Sequence, residues 1–198
     1  MIGTEISAAI ADDMRSTLAA LSEALTTAYL EDVGRAADAL VSSIRAGGKL
    51  LIMGNGGSAA DAQHIAAELV GRYKIERRGL PAIALTTDSS ILTAWSNDYS
   101  YDTVFSRQVE ALAMPGYIVW GISTSGNSKN VVLAFEAARK RGATTVGLLG
   151  RDGGKLAQIS DHSMIVALPH TDQIQTAHLL TYHALCAALD RAFEHTDA

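Results

Sequence analysis

A chain of 198 residues, 48% apolar and 19% charged, has the composition of one folded domain with a full core rather than of a disordered segment. Its net charge is −5, and its basic clusters (KIERR at 74–78, RKR at 139–141) are short, so it lacks the basic stripe of a nucleic-acid binder and no such partner is expected. A single cysteine, Cys186, excludes an internal disulfide and suits a reducing compartment.

The N-terminal stretch MIGTEISAAIADDMRS carries acids and no basic region before an apolar run, so it does not read as a signal peptide. No stretch is apolar for long enough to span a membrane. A soluble, cytoplasmic protein without a membrane partner is therefore expected. Two Ala/Leu-rich segments, roughly 6–25 and 32–45, place apolar residues at helical spacing, and Gly47-Gly48 ends the second as a helix C-terminus often ends. The first of these helices has no strand beside it. It packs either on its own domain or against another subunit.

The period then changes. KLLIMG, PAIAL, YIVWGIS, TTVGLLG and SMIVAL are short apolar runs bounded by Gly, Pro or polar residues, with helical patterns between them. Near-continuous apolar strands alternating with helices predict a parallel sheet covered on both faces, a doubly wound α/β fold of five strands. A long Ala/Leu-rich helix, 171–195, closes the chain. One domain over 1–198 is expected, with an N-terminal helical extension at 1–46 and the α/β core at 47–198.

Ligands of such sheets bind at the carboxyl ends of the strands, so the loops that follow strands are the first places to look. The first is Gly54-Asn55-Gly56-Gly57-Ser58, where glycines allow close approach to an anion at a helix N-terminus. A dinucleotide reading needs an acid after the second strand, and Asp88 stands there. The second loop, Ser123-Thr124-Ser125-Gly126-Asn127-Ser128, gathers four hydroxyls around one glycine just before a predicted helix at 130–141. That density suits a phosphate cradle on a small phosphorylated substrate. The alternative is a capped polar turn with Ser128 or a neighbour as N-cap. The third, Ser96-Asn97-Asp98, follows a helical segment at 89–95 and reads as a turn whose polar side chains could also bond sugar hydroxyls.

The helix leaving the first loop carries His64 and Glu68 at i, i+4, on one face. The pair is either a surface ion pair or part of a site. A second group, Gln175, His178 and His183, lies on the last helix. Gln175 and His183 are about 80° apart around the axis, near enough to converge, but spacing does not choose between His178 and His183. Such a set could hold Zn²⁺, and a facing Glu and His also suit proton transfer. Asp172, three residues before Gln175, resembles a helix cap.

GNGGS, DAQHIAAEL, GRY, SND, FSRQVEAL, GISTSGNS, DGGK and DQIQTAH…YH, taken in order, resemble the sedoheptulose 7-phosphate (phosphoheptose) isomerases of the SIS fold. The resemblance implies a flavodoxin-like sheet. It implies isomerisation of sedoheptulose 7-phosphate to D-glycero-D-manno-heptose 7-phosphate, at the start of bacterial heptose biosynthesis. It implies a homotetramer with sites between subunits. Substrate residues would be Asn55, Gly56, Gly57, Ser58, Glu68, Asn97, Asp98, Ser123, Thr124, Ser125, Ser128 and Gln175, with the phosphate on the 123–128 loop. One Zn²⁺ per subunit would be held by His64, Glu68, Gln175 and His183, and Glu68 and His183 would be the acid/base pair. The stretch LPAIALTTDSSILTAWSND is also similar to a non-catalytic SIS branch that binds the replication initiator, but that branch lacks the acid on the first helix and the late histidine. SIS enzymes of other sugar phosphates generally lack the combined set of four.

Overall fold

The structure, a computed structural model, describes residues 2–194. Its elements in order are α1 (Ile2–Ala24), α2 (Thr27–Arg45), β1 (Leu50–Gly54), α3 (Gly57–Val70), β2 (Ala82–Ala84), α4 (Ser89–Asp98), a 3-10 turn (Tyr101–Thr103), α5 (Val104–Leu112), β3 (Ile118–Ser123), α6 (Lys129–Lys140), β4 (Thr144–Gly150), α7 (Gly154–Ile159), β5 (His162–Val166) and α8 (Thr171–Phe193). All five expected strands form. His195, the expected end of the last helix, lies outside the described residues.

Both N-terminal helices begin earlier than their apolar periodicity suggests. For α2 the reason is a cap: Thr26 is extended and its hydroxyl accepts from the Tyr29 N–H at 3.2 Å. The helix ends where Gly47-Gly48 was expected to end it. The Gly47 N–H reaches the Ile44 carbonyl and the Gly48 N–H reaches that of Ser43, the paired bonds of a Schellman motif.

The strands are all parallel, in the order β2-β1-β3-β4-β5. This is the flavodoxin-like order, with its switch point between β1 and β3. Successive residues of each strand feed opposite layers. Leu50, Ile52, Trp120 and Leu148 join the core under α2, α3 and α8, while Leu51, Met53, Val119 and Leu149 join the core under α5 and α6. That is why the strands read as unbroken apolar runs. The Tyr29 hydroxyl meets that of Thr181 at 2.6 Å, tying α2 to α8.

His178, on α8, is wholly buried, and neither ring nitrogen makes a hydrogen bond of good geometry. Burial pushes its imidazole down to about 4, against an opposing influence of the Leu149 backbone. The folded value lies below the unfolded one, so the unfolded chain binds the extra proton between them. This part of the stability is complete above about pH 6.5 and is lost as pH falls toward about 4. The unfolding free energy in urea should drop by about 2 kcal/mol more between pH 7.5 and pH 5 in the native sequence than in His178→Leu. Equal pH dependence in the two proteins would assign the loss to other groups.

Candidate active site

β1 and β3 are neighbours, with Gly54 in register with Ile122, so the loops that follow them leave the sheet side by side at the switch point. The first loop is held by Asn55. Its amide exchanges two hydrogen bonds with that of Asn130, at 2.9 and 2.8 Å, and its oxygen also accepts from the Tyr101 hydroxyl at 2.9 Å. Asn130 and Tyr101 were not anticipated as site residues. Neither stands within a loop motif, and each meets Asn55 across a long sequence separation. Ser58 is buried in the first turn of α3. A Cβ at Gly57 would lie 2.1 Å from the Gln175 amide nitrogen, so a larger residue there would displace the Gln175 side chain. Beside this contact is a cavity of about 500 Å³ lined by Gly57, Asp61, Asp172, Gln175 and Leu179.

The second loop spends its hydroxyls on one another. Ser123 Oγ meets Ser128 Oγ at 2.9 Å and Ser125 Oγ at 3.5 Å. Ser128 is the N-cap residue of α6, but its side chain makes no capping bond. The Val131 and Val132 N–H groups bond to the Ser128 carbonyl, so the donors left at the loop are those of Lys129 and Asn130. Lys129 approaches the same region, paired with Asp102 at 2.7 Å. Gly126 takes φ +64°, where its missing Cβ would collide with the Gly153 carbonyl, and its own carbonyl accepts from the Leu156 N–H. The loop after β3 is thus locked to the loop after β4.

Asn97 and Asp98 depart from the expected turn. They form the last turn of α4, exposed, with the Asn97 amide donating to the Asp98 carboxylate at 3.0 Å. No other hydrogen bond ties either side chain to the remaining candidates among the described residues. Asp88, the acid that a dinucleotide reading would need, caps α4 by accepting from the Ile91 N–H. Asp172 does not cap α8: the N-cap is His170, without a side-chain bond, because the helix starts one residue before Asp172.

α3 and α8 lie side by side and run in the same direction, with Gly57 facing Gln175 at one end and His64 facing His183 about two turns on. The nearest donor atoms of His64, Glu68 and His183 lie within 4.8 Å of one another. His64 Nε2 is 3.1 Å from Glu68 Oε1, with both side chains partly exposed. Tyr73 stacks on the His183 ring at 5.4 Å. Burial and the neighbouring His64 lower the His183 pKa while Glu68 opposes them, so the neutral imidazole is favoured. The set of two imidazoles and a carboxylate fits a metal ion with an open coordination position. Gln175, the fourth expected ligand, sits at the Gly57 end of the same face. His178 points instead into the core.

Further groups brace this cluster. The Tyr182 hydroxyl is 2.9 Å from His64 Nδ1 and 3.4 Å from Asp61 Oδ1. Asp61 has a detectable sequence signal, since it lies three residues before His64 on the same face. Arg77 has none: KIERR reads as a solvated cluster, yet the Arg77 side chain is fully buried against Asp190 at 2.9 Å.

A doubly wound sheet in this strand order, with a glycine loop and a hydroxyl loop meeting at its switch point, defines a sugar-isomerase-type domain, and residues 13–150 match the SIS domain family. A phosphoheptose isomerase from Geobacter sulfurreducens is 54% identical over 183 residues, covering 91% of this chain and 97% of the relative. One from Aquifex aeolicus is 54% identical over 162 residues, 82% of this chain and 85% of the relative. The solved phosphoheptose isomerase of Neisseria gonorrhoeae superposes with a TM-score of 0.89 at 43% identity, covering 94% of this chain and 99% of that one. The chain belongs to the phosphoheptose isomerase family of SIS-domain proteins.

The Arg77–Asp190 pair holds the end of α3 against α8, and Asp190→Ala would leave a buried guanidinium without its counter-charge. A loss of roughly 3–5 kcal/mol in urea unfolding is expected. A loss below about 1 kcal/mol would show that the pair does not hold the helices together.

Proposed function

We propose that this protein is an aldose–ketose isomerase that converts D-sedoheptulose 7-phosphate to D-glycero-D-manno-heptose 7-phosphate, the first step of bacterial heptose biosynthesis. The observation that carries the reading is the convergence of His64, Glu68 and His183 on one face of two parallel helices that begin beside the anion-type loops. The relatives named as phosphoheptose isomerases support the choice of sugar.

The phosphate sits on Ser123, Thr124, Ser125 and Ser128 and on the N–H groups at the start of α6, where the helix dipole favours negative charge. Ser128 makes no capping bond, and its hydroxyl is shared only with that of Ser123. Gly56, Gly57 and the Ser58 backbone let the open-chain sugar approach α3 closely. Asn55 acts through its backbone, with its amide engaged by Asn130 and Tyr101. Asn97, Asp98 and Gln175 bond sugar hydroxyls.

Glu68 takes the proton from carbon 1, giving a cis-enediol, and returns it to carbon 2. His183, favoured in its neutral form, moves the proton between the two oxygens. His64, Glu68 and His183 would hold zinc, while Gln175 lies about two turns away at the Gly57 end of the face. When bound, zinc supplies Lewis acidity that polarises the substrate oxygens. The non-catalytic SIS reading does not account for an acid and a late histidine brought together with His64.

The working form is a cytoplasmic homotetramer in which the N-terminal helices make subunit contacts. Ile6, Ile10, Met14 and Leu18 recur every four residues on α1, each more than half exposed, and form an apolar stripe that nothing on this chain covers among the described residues. Among the described residues no helix is long and apolar enough to cross a membrane.

Purified protein should convert sedoheptulose 7-phosphate to the aldose, lose activity with chelator and regain it with zinc. Glu68→Gln should lower kcat by at least about 100-fold while circular dichroism stays native. No conversion under any condition would overturn the assignment. In light scattering at micromolar concentration the protein should run as a tetramer, and Ile10→Glu with Leu18→Glu should lower its mass. An unchanged mass would exclude the α1 stripe from the interface.

A further inference from the structure

Tyr182 stands beside the cluster without belonging to it. Its side chain is wholly buried, so it meets no substrate. Its ring packs edge-on against His64 at 5.4 Å and against His183 at 4.9 Å. Its hydroxyl lies between His64 Nδ1 at 2.9 Å and Asp61 Oδ1 at 3.4 Å. The other carboxylate oxygen of Asp61 is buried with no partner.

Counting donors orders this chain of contacts. A tyrosine hydroxyl has one proton to give, and a carboxylate only accepts. The hydroxyl therefore donates to Asp61 and has only lone pairs left for His64. His64 must then carry its proton on Nδ1 and donate it to the tyrosine oxygen. The opposite nitrogen, Nε2, is left with its lone pair aimed at Glu68 Oε1, 3.1 Å away. Two lone pairs so close repel unless a cation lies between them. The reverse order, with Tyr182 donating to His64, would put the proton on Nε2 and close the pair as an ordinary surface hydrogen bond.

We propose that Tyr182, held by Asp61, is a positioning residue that fixes His64 as its Nδ1–H tautomer and so keeps Nε2 open for a divalent metal ion. This rests on the functional reading above only in naming zinc as that ion. Orienting a ligating histidine through its second nitrogen is worth about 10–100-fold in metal affinity. Here a hydroxyl interposed between imidazole and carboxylate does the orienting. Phe would preserve the ring contacts and lose the effect.

The test compares the native sequence with Tyr182→Phe and, as a second route to the same change, Asp61→Ala, which frees the Tyr182 proton for His64. Nitrogen-15 imidazole NMR on metal-free protein reads the tautomer. Competition with a chromophoric chelator reads zinc affinity. The native sequence should show His64 as Nδ1–H, and both variants should shift it toward Nε2–H. Tyr182→Phe should bind zinc about 10–100-fold more weakly, with KM for the sugar phosphate within about two-fold at saturating zinc. A retained Nδ1–H tautomer with unchanged zinc affinity in both folded variants would overturn the proposal. So would an Nε2–H tautomer in the native sequence. Native protein that shows the expected tautomer but does not isomerise the sugar would overturn the functional reading and leave the role of Tyr182 standing.

Discussion

The buried ion pair of Arg77 and Asp190 holds together the two helices on which the site is built. Both side chains are withdrawn from water, which is costly unless every polar atom is satisfied. Here the bonding is dense. Arg77 donates to Asp190 and to the main-chain carbonyls of Glu68, Leu69, Gly71 and Arg78. Those of Glu68 and Leu69 belong to the last turn of α3, where carbonyls have no partner inside the helix. The second Asp190 oxygen accepts from the N–H groups of Lys74 and Ile75. The loop after α3 is thereby folded back onto α8, and Tyr73 within it lands on the His183 ring. An apolar pair could supply comparable stability, but it would not address the backbone of Glu68 or aim this loop.

The other constraint is the order of the sheet. Because β1 and β3 are neighbours and the chain leaves them in opposite directions, their loops open onto one crevice. Asn55 and Asn130 bridge those loops with reciprocal amide bonds. The glycine loop and the His–Glu–His cluster are then separated by about two turns of α3, roughly 10 Å. At the start of α3, Gly57 lies against the Gln175 amide of α8.

Within this frame the polar groups divide by depth. Those at the crevice are left incompletely used: Ser128 does not cap, and His64 and Glu68 stay partly exposed. Behind it Tyr182, Asp190 and the Arg77 side chain are buried, and Asp61 is half-buried. His178 shows the alternative fate of a histidine on the same helix. It faces the sheet, makes no hydrogen bond of good geometry and is held neutral by burial.

By itself the sequence determined the parallel sheet, since strands buried on both faces must be apolar at every position, and the two loops, since hydroxyls and glycines at strand ends are local features. It also determined that His64 and Glu68 share a face, because that follows from helical spacing. Local pattern misplaced Asn97-Asp98 and Asp172, where a helix ran on past an apparent turn or began ahead of an apparent cap. Only the tertiary structure decided between His178 and His183 as the neighbour of His64, buried Arg77, and set Tyr182 between His64 and Asp61. Each of those outcomes is a contact across more than 100 residues, as in Tyr182 with Asp61 at a separation of 121 and Arg77 with Asp190 at 113. No local period or composition carries such information. It arises only when two helices distant in sequence are packed on the same side of the sheet.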